Sequence, residues 1–176
     1  MVQTNGDFYK FDIMNIIIQT PRFIIRSFEA DEEDAYVNLH TDERVTAYIP
    51  NRSRDELIIM FRNNLMETPG EITGRWGIFN KADNDFIGSC LLRPFDDGSD
   101  SIELGYVLNY SYWGKGIASE MANVLLTRAY KIKQDAKFVA VTTLNNIPSQ
   151  RVLEKAGMQR CGNYLRNGNE LALFKM

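Results

Sequence analysis

Two cysteines and a single histidine in 176 residues leave little material for a metal centre or a disulfide framework. Cys90 and Cys161 have no CxxC or Cys/His spacing, so both are read as reduced, buried small hydrophobes. His40 has no carboxylate or cysteine at ligand spacing and is read as a surface or cap residue, so no metal is expected. An excess of one charge is missing too. Twenty Lys and Arg stand against 23 Asp and Glu, a net charge of −3, and a basic nucleic-acid surface is excluded on that balance. No long apolar run occurs near the N-terminus. Ile16 to Ile18 is far too short to span a bilayer and follows no basic leader, so a cytoplasmic protein without a membrane partner is expected, as monomer or homodimer. GxxxxGK[ST] and GxGxxG are both absent, which disfavours nucleoside triphosphates and dinucleotides. There is no internal repeat and no linker rich in Pro, Gly or Ser.

What is present is one domain's worth of apolar residues, 44% of the chain, in elements that alternate between strand and helix. Residues 1–13, polar and aromatic without period, are read as a poorly ordered extension to a domain over 14–176, with Met14 a possible start. "RFIIRSF" at 22–28 reads as a strand, followed by a helix in "ADEEDAYVNLH" that Asp31 is placed to cap. Ser53 and Glu56 have capping-box spacing before a second helix, along which Leu57, Met60, Phe61 and Leu65 recur until Pro69-Gly70. "GRWGIFN", "DFIGSCLL" and "SIELGYVL" read as an antiparallel meander. A helix with Ile117, Met121, Val124 and Leu125 on one face follows, then the strand "KFVAVTTL", a helix in "SQRVLEKA" ended by Gly157, and two closing strands. The order predicts an α/β (α+β) fold: a mixed, mostly antiparallel sheet flanked by about four helices.

Between the third meander strand and its helix lies "NYSYWGKGIASE". The first amides of a helix lack internal partners and carry the positive end of its dipole, and glycines there let a phosphate approach the backbone. Lys115 adds charge. An isolated Gly-x-Gly is more often an ordinary turn without a ligand, so this pattern alone is a weak signal.

Trp113-Gly114-Lys115-Gly116-Ile117-Ala118 resembles the pyrophosphate loop of the GNAT superfamily of N-acetyltransferases, Q/R-x-x-G-x-G/A. Trp113, in place of Gln or Arg, is similar to the branch of ribosomal-protein N-terminal acetyltransferases of the Rim type. "QTPRFIIRSFEADEED" and "NNIPSQRVLEKAGM" resemble that branch's opening unit and late helix, so the likeness runs over about residues 16–174. It implies acetyl-CoA as co-substrate, bound by residues 113–118, by Asn146, and by the backbone of Val107 and Leu108, which would pair with the pantetheine arm and polarise the thioester.

The chemistry implied is attack of an amine on a thioester, which needs a proton acceptor, a polarised carbonyl and a donor to the leaving thiolate. Alternation in "SIELGYVL" sets Ile102, Leu104 and Tyr106 on one face and Glu103, Gly105 and Val107 on the other. Glu103, a carboxylate in an apolar strand, is expected to be the base through partial burial, and is otherwise a solvated edge charge. The Tyr that many superfamily members place in the late helix is absent, since Leu153 falls at that position. Ser149 matches the branch's Ser and becomes the expected donor, with an N-cap as its plainer role; Asn146 is otherwise a turn residue. Tyr48 and Trp76 are the aromatics expected to line the acceptor pocket. The acceptor is expected to be a peptide or protein N-terminus, with polyamine or aminoglycoside as small-amine alternatives. A CoA-binding sensor without turnover is the rival of another class.

Overall fold

The computed structural model describes residues 16–176, so the extension expected over 1–13 lies outside the described residues. Eight strands form one sheet: β1 (Ile16–Gln19), β2 (Phe23–Arg26), β3 (Gly74–Asn80), β4 (Phe86–Pro94), β5 (Ile102–Leu108), β6 (Phe138–Thr143), β7 (Gln159–Arg166) and β8 (Asn169–Lys175). Their order across the sheet is β1-β2-β3-β4-β5-β6-β8-β7. Every neighbouring pair is antiparallel except β5 and β6, which are parallel.

Five helices cover the two faces: α1 (Glu33–Thr41), α2 (Glu43–Thr46), α3 (Arg54–Met66), α4 (Ile117–Ile132) and α5 (Ile147–Lys155). On one face α4 crosses from β5 to β6, as a parallel connection requires, and buries Ile117, Met121, Leu125 and Leu126 against Trp76, Leu104 and Phe138. On the other, α1 and α3 pack through edge-on aromatic pairs of Phe28 with Tyr36 and Phe61, centroids 5.7 and 5.4 Å apart. Among the described residues no helix is long and apolar enough to cross a membrane.

The capping box of α3 is present, with Ser53 accepting from the Glu56 N–H and Glu56 from the Ser53 N–H. Leu57 and Phe61 are buried behind it, while Leu65 is 38% exposed. Asp31 does not cap α1. The chain makes a 3-10 turn over Ala30–Glu32 first, and Glu32 closes it by accepting from the Glu29 N–H at 2.8 Å while binding buried Arg26. A carboxylate able to neutralise a buried guanidinium wins over one that can only face solvent. β1 and α2, four residues each, were not among the expected elements, because so short a run shows no period.

Candidate active site

β5 and β6 pair only at Ile102–Phe138 and Glu103–Val139, after which the strands part. The opening widens into a cavity of about 980 Å³ between the end of β5, the start of α4 and the start of α5. β5 keeps its whole ladder with β4, from Ile102–Pro94 to Leu108–Gly88. Beyond it, the Asn109 N–H bonds the Ile87 carbonyl at 2.8 Å. Since hydrogen-bonded positions alternate, the backbone groups of Glu103, Gly105 and Val107 turn to β4 and those of Leu104, Tyr106 and Leu108 to the gap. The expectation for the Val107 backbone is therefore corrected. Val107 lines the cavity, but its N–H and C=O belong to the β4 side, and Tyr106 takes its place beside Leu108. The Leu108 carbonyl accepts from the Trp113 indole at 2.8 Å, which leaves the Leu108 N–H to the gap.

The loop ahead of α4 closes one end of the cavity. Gly114 and Gly116 sit in the left-handed region at φ 73° and 76°, where a side chain is strained. Gly116 is the residue preceding α4, and the first helical bond runs from the Glu120 N–H to its carbonyl. The amides of residues 116–119 precede that bond and have no partner within the helix. Lys115 does not line the cavity: its ammonium lies 5.3 Å from the Tyr112 ring centroid. The cation that touches the loop is Arg22, which donates to the Lys115 carbonyl at 2.8 Å and to Glu120 at 3.1 Å. Sequence reasoning missed it, since the contact joins residues 93 positions apart.

Asn146 and Ser149 divide the work that either could have done. Asn146 caps α5 by accepting from the Ser149 N–H at 3.1 Å. The Ser149 hydroxyl is thereby free for the Tyr106 phenol, 3.0 Å away. Burial, opposed by the bond to Ser149, pushes the Tyr106 phenol up to about 12. Tyr106 thus meets Ser149 from the β5 face that the alternation assigned to it.

Glu103 is buried, at 5% exposure, but not as an isolated carboxylate. It accepts from Arg93 Nε at 2.9 Å and from Arg166 Nη1 and Nη2 at 2.8 and 3.0 Å. Arg166 also bonds Asp96 at 2.7 Å. Both carboxylate oxygens are thus engaged by guanidiniums, so the expected base sits in an ion-pair network and not alone in an apolar strand. Trp76 is corrected as well: it is 2% exposed within the core on the α4 face and lines neither cavity. Tyr48 does line the large cavity, its ring 5.9 Å from that of Trp113. Cys90 is buried, which pushes its thiol up, and Cys161 is exposed on β7, away from the cavity. Neither is placed to act as a nucleophile.

The acetyltransferase (GNAT) domain family matches residues 22–159, most of the described chain. This chain belongs to the GNAT acetyltransferases. It is 30% identical to an uncharacterized N-acetyltransferase, YnaD, of Bacillus subtilis, over 87% of this chain and 90% of the relative. Its fold is similar to the ribosomal-protein-S5-alanine acetyltransferase of Vibrio fischeri, with a TM-score of 0.71, 16% identity, and coverage of 94% and 96% of the two chains. A spermidine N-acetyltransferase of Vibrio cholerae, solved with CoA and spermine, superposes with a TM-score of 0.71 at 19% identity, covering 89% and 96%. The chain is an acyl-CoA-dependent N-acetyltransferase, and the family's acetyl donor is acetyl-CoA.

Proposed function

We propose that this GNAT enzyme moves the acetyl group of acetyl-CoA directly onto a primary amine in a ternary complex, and that the amine is a peptide or protein N-terminus. The observation that carries the reading is the parting of β5 from β6, which turns the Leu108 N–H toward a cavity that also meets the α4 N-terminus and the Tyr106–Ser149 pair. The pyrophosphate lies on the amides of residues 116–119, with Arg22 bracing the loop from outside. The pantetheine arm runs along the free edge of β5 past Tyr106 and Leu108, with Asn146 at its side. The Leu108 N–H then polarises the thioester carbonyl and stabilises the oxyanion as the C–N bond forms. As the C–S bond breaks, the phenol of Tyr106, held by Ser149, donates a hydrogen bond to the leaving sulfur.

The amine proton goes to His40 in place of Glu103; His40 lines a smaller cavity that shares Gly105–Val107 with the large one. Its Nδ1 bonds the Tyr36 carbonyl at 2.8 Å, so Nδ1 carries the hydrogen and Nε2 is the basic nitrogen. Burial lowers its pKa below the ordinary 6.5, opposed by that bond and aided by nearby Arg52, so the imidazole is neutral at pH 7. A neutral imidazole accepts the proton directly or through water.

The peptide acceptor is favoured over a polyamine because a polycation needs a dense acidic lining. Among the described residues Glu103 and Glu170 are the only carboxylates lining the large cavity, and Glu103 is already paired with Arg93 and Arg166. The test is release of CoA over ribosomal-protein N-terminal peptides, spermidine and aminoglycosides, with both substrates varied. Intersecting double-reciprocal lines with peptide turnover are expected. Parallel lines would require an acetyl-enzyme, and turnover of spermidine with no peptide would remove the acceptor assignment. Acetyl-CoA binding without turnover of any amine would instead favour the sensor.

A further inference from the structure

A second cavity, of about 250 Å³, lies on the opposite face of β5, beneath α1 and α3. It shares Ile49, Pro50, Arg93, Glu103 and Gly105–Val107 with the large cavity, so the two adjoin along β5 and the segment after α2. Gly105 sits at this junction with Leu91 packed over it: a Cβ there would come within 3.1 Å of the Leu91 side chain. The charged groups lining this second cavity are Arg52, Arg75 and Arg93 against the single carboxylate Glu103, which Arg93 already shares with Arg166. Arg75 has one partner, Glu67, 3.3 Å away and half-exposed outside the lining. Arg52 has no ion pair among the described residues. Arg52 and Arg75 line the same cavity as Tyr36 and His40.

We propose that this second cavity is the acceptor site and that it selects amines carrying an anionic group near the reacting nitrogen, an acidic peptide N-terminus rather than a polycation. The inference rests on the acetyl-transfer reading above and adds the acceptor's chemistry. Arg52 and Arg75 bind the acceptor's carboxylate by charge-assisted hydrogen bonds. The amine, at the other end of the same acceptor, reaches the thioester where the two cavities meet at Gly105–Val107. A polyamine meets three like charges there and is repelled.

The experiment compares C-terminally amidated Ala-Asp-Glu with its isostere Ala-Asn-Gln, and both with spermidine, by CoA release and by calorimetric titration into the CoA complex. The acidic peptide is expected to exceed the neutral one by about 10- to 100-fold in kcat/KM, what one or two charge-assisted hydrogen bonds confer. Arg52→Gln together with Arg75→Gln should bring the ratio close to one while acetyl-CoA affinity, measured on the same folded protein, is unchanged. Equal rates for the two peptides, a faster rate for spermidine, or binding of neither peptide overturns the inference. Selective binding of the acidic peptide without acetylation upholds the site's selectivity and overturns the transfer reading instead. Acetylation without preference does the reverse.

Discussion

Tyr106→Phe removes one hydroxyl and leaves the ring packed, so it isolates what the phenol does for the leaving sulfur. Two sizes of effect are possible. Complete proton transfer would give the roughly 10²- to 10⁴-fold contribution of a general acid. A phenol at about 12, however, is poorly matched to a thiol near 8.5. The mismatch, about 3.5 units or about 5 kcal/mol, makes full transfer from tyrosine to thiolate uphill. A hydrogen bond to the developing anion is then the larger share, worth about 1.5–3 kcal/mol, or about 10- to 150-fold in kcat. The assay is thiol release under saturating acetyl-CoA, with acetyl-CoA affinity measured separately and expected to change little. A kcat within a factor of about two of the parent would show that the phenol only packs.

The same substitution has a signature without substrate. The folded phenol titrates near 12 and the unfolded one near 10, so between those values only the unfolded chain gives up the proton. Stability should fall as pH rises through that window, by about 2–3 kcal/mol in all, and Tyr106→Phe should flatten that fall. A decline equally steep in the variant would assign it to other groups.

Gly116→Val forces a β-branched residue to φ 76° just before α4 and should weaken acetyl-CoA binding more than tenfold in a folded protein, by calorimetry. Unchanged affinity would place the pyrophosphate elsewhere. Glu103→Gln should act on stability: breaking a buried ion pair costs about 3–5 kcal/mol, and half-exposed Arg93 brings the expected loss nearer 2–3 kcal/mol. A well-folded variant whose kcat drops a hundredfold would restore Glu103 as the base. His40, with its pKa below 6.5 in the fold, contributes stability that is present above 6.5 and lost as pH falls from there through its lower folded value. His40→Gln should remove that loss in pH-dependent melting and lower kcat near neutrality, and a parent-like acid limb would exclude His40.

Local rules made much of the fold legible. Ser53 and Glu56 sit three residues apart, a spacing that needs no tertiary knowledge, and the alternation in "SIELGYVL" assigned Tyr106 and Glu103 to opposite faces. What escaped were pairings between distant residues. Nothing near Glu103 in sequence announces Arg166, 63 positions on, so a carboxylate in an apolar strand looked unpaired. Trp76 looked available because an aromatic in a strand gives no sign of which face is covered. The backbone assignment erred by one residue at Val107 for a related reason: side-chain alternation can be read from apolar pattern, whereas which carbonyls face which neighbour depends on the β4 register.

That register leads to a last prediction, at Gly88. It sits opposite Leu108, where the last β4–β5 pair meets the gap. A Cβ at Gly88 would come within 2.2 Å of the Val107 carbonyl oxygen and 2.8 Å of the Leu108 Cα, both backbone atoms with no rotamer to yield. Gly88→Ala must therefore push the end of β5 away from β4. Such overpacking costs about 1–3 kcal/mol of stability. Its functional cost should be larger, because the displaced peptide carries the Leu108 N–H and oxyanion donors act only when their geometry is held. Losing one typically lowers kcat by about 10²–10³-fold. Acetyl-CoA affinity, set mainly at the α4 loop, should fall far less. If Gly88→Ala keeps the parent kcat while melting lower, the carbonyl is polarised elsewhere and the role given to the free edge of β5 is wrong.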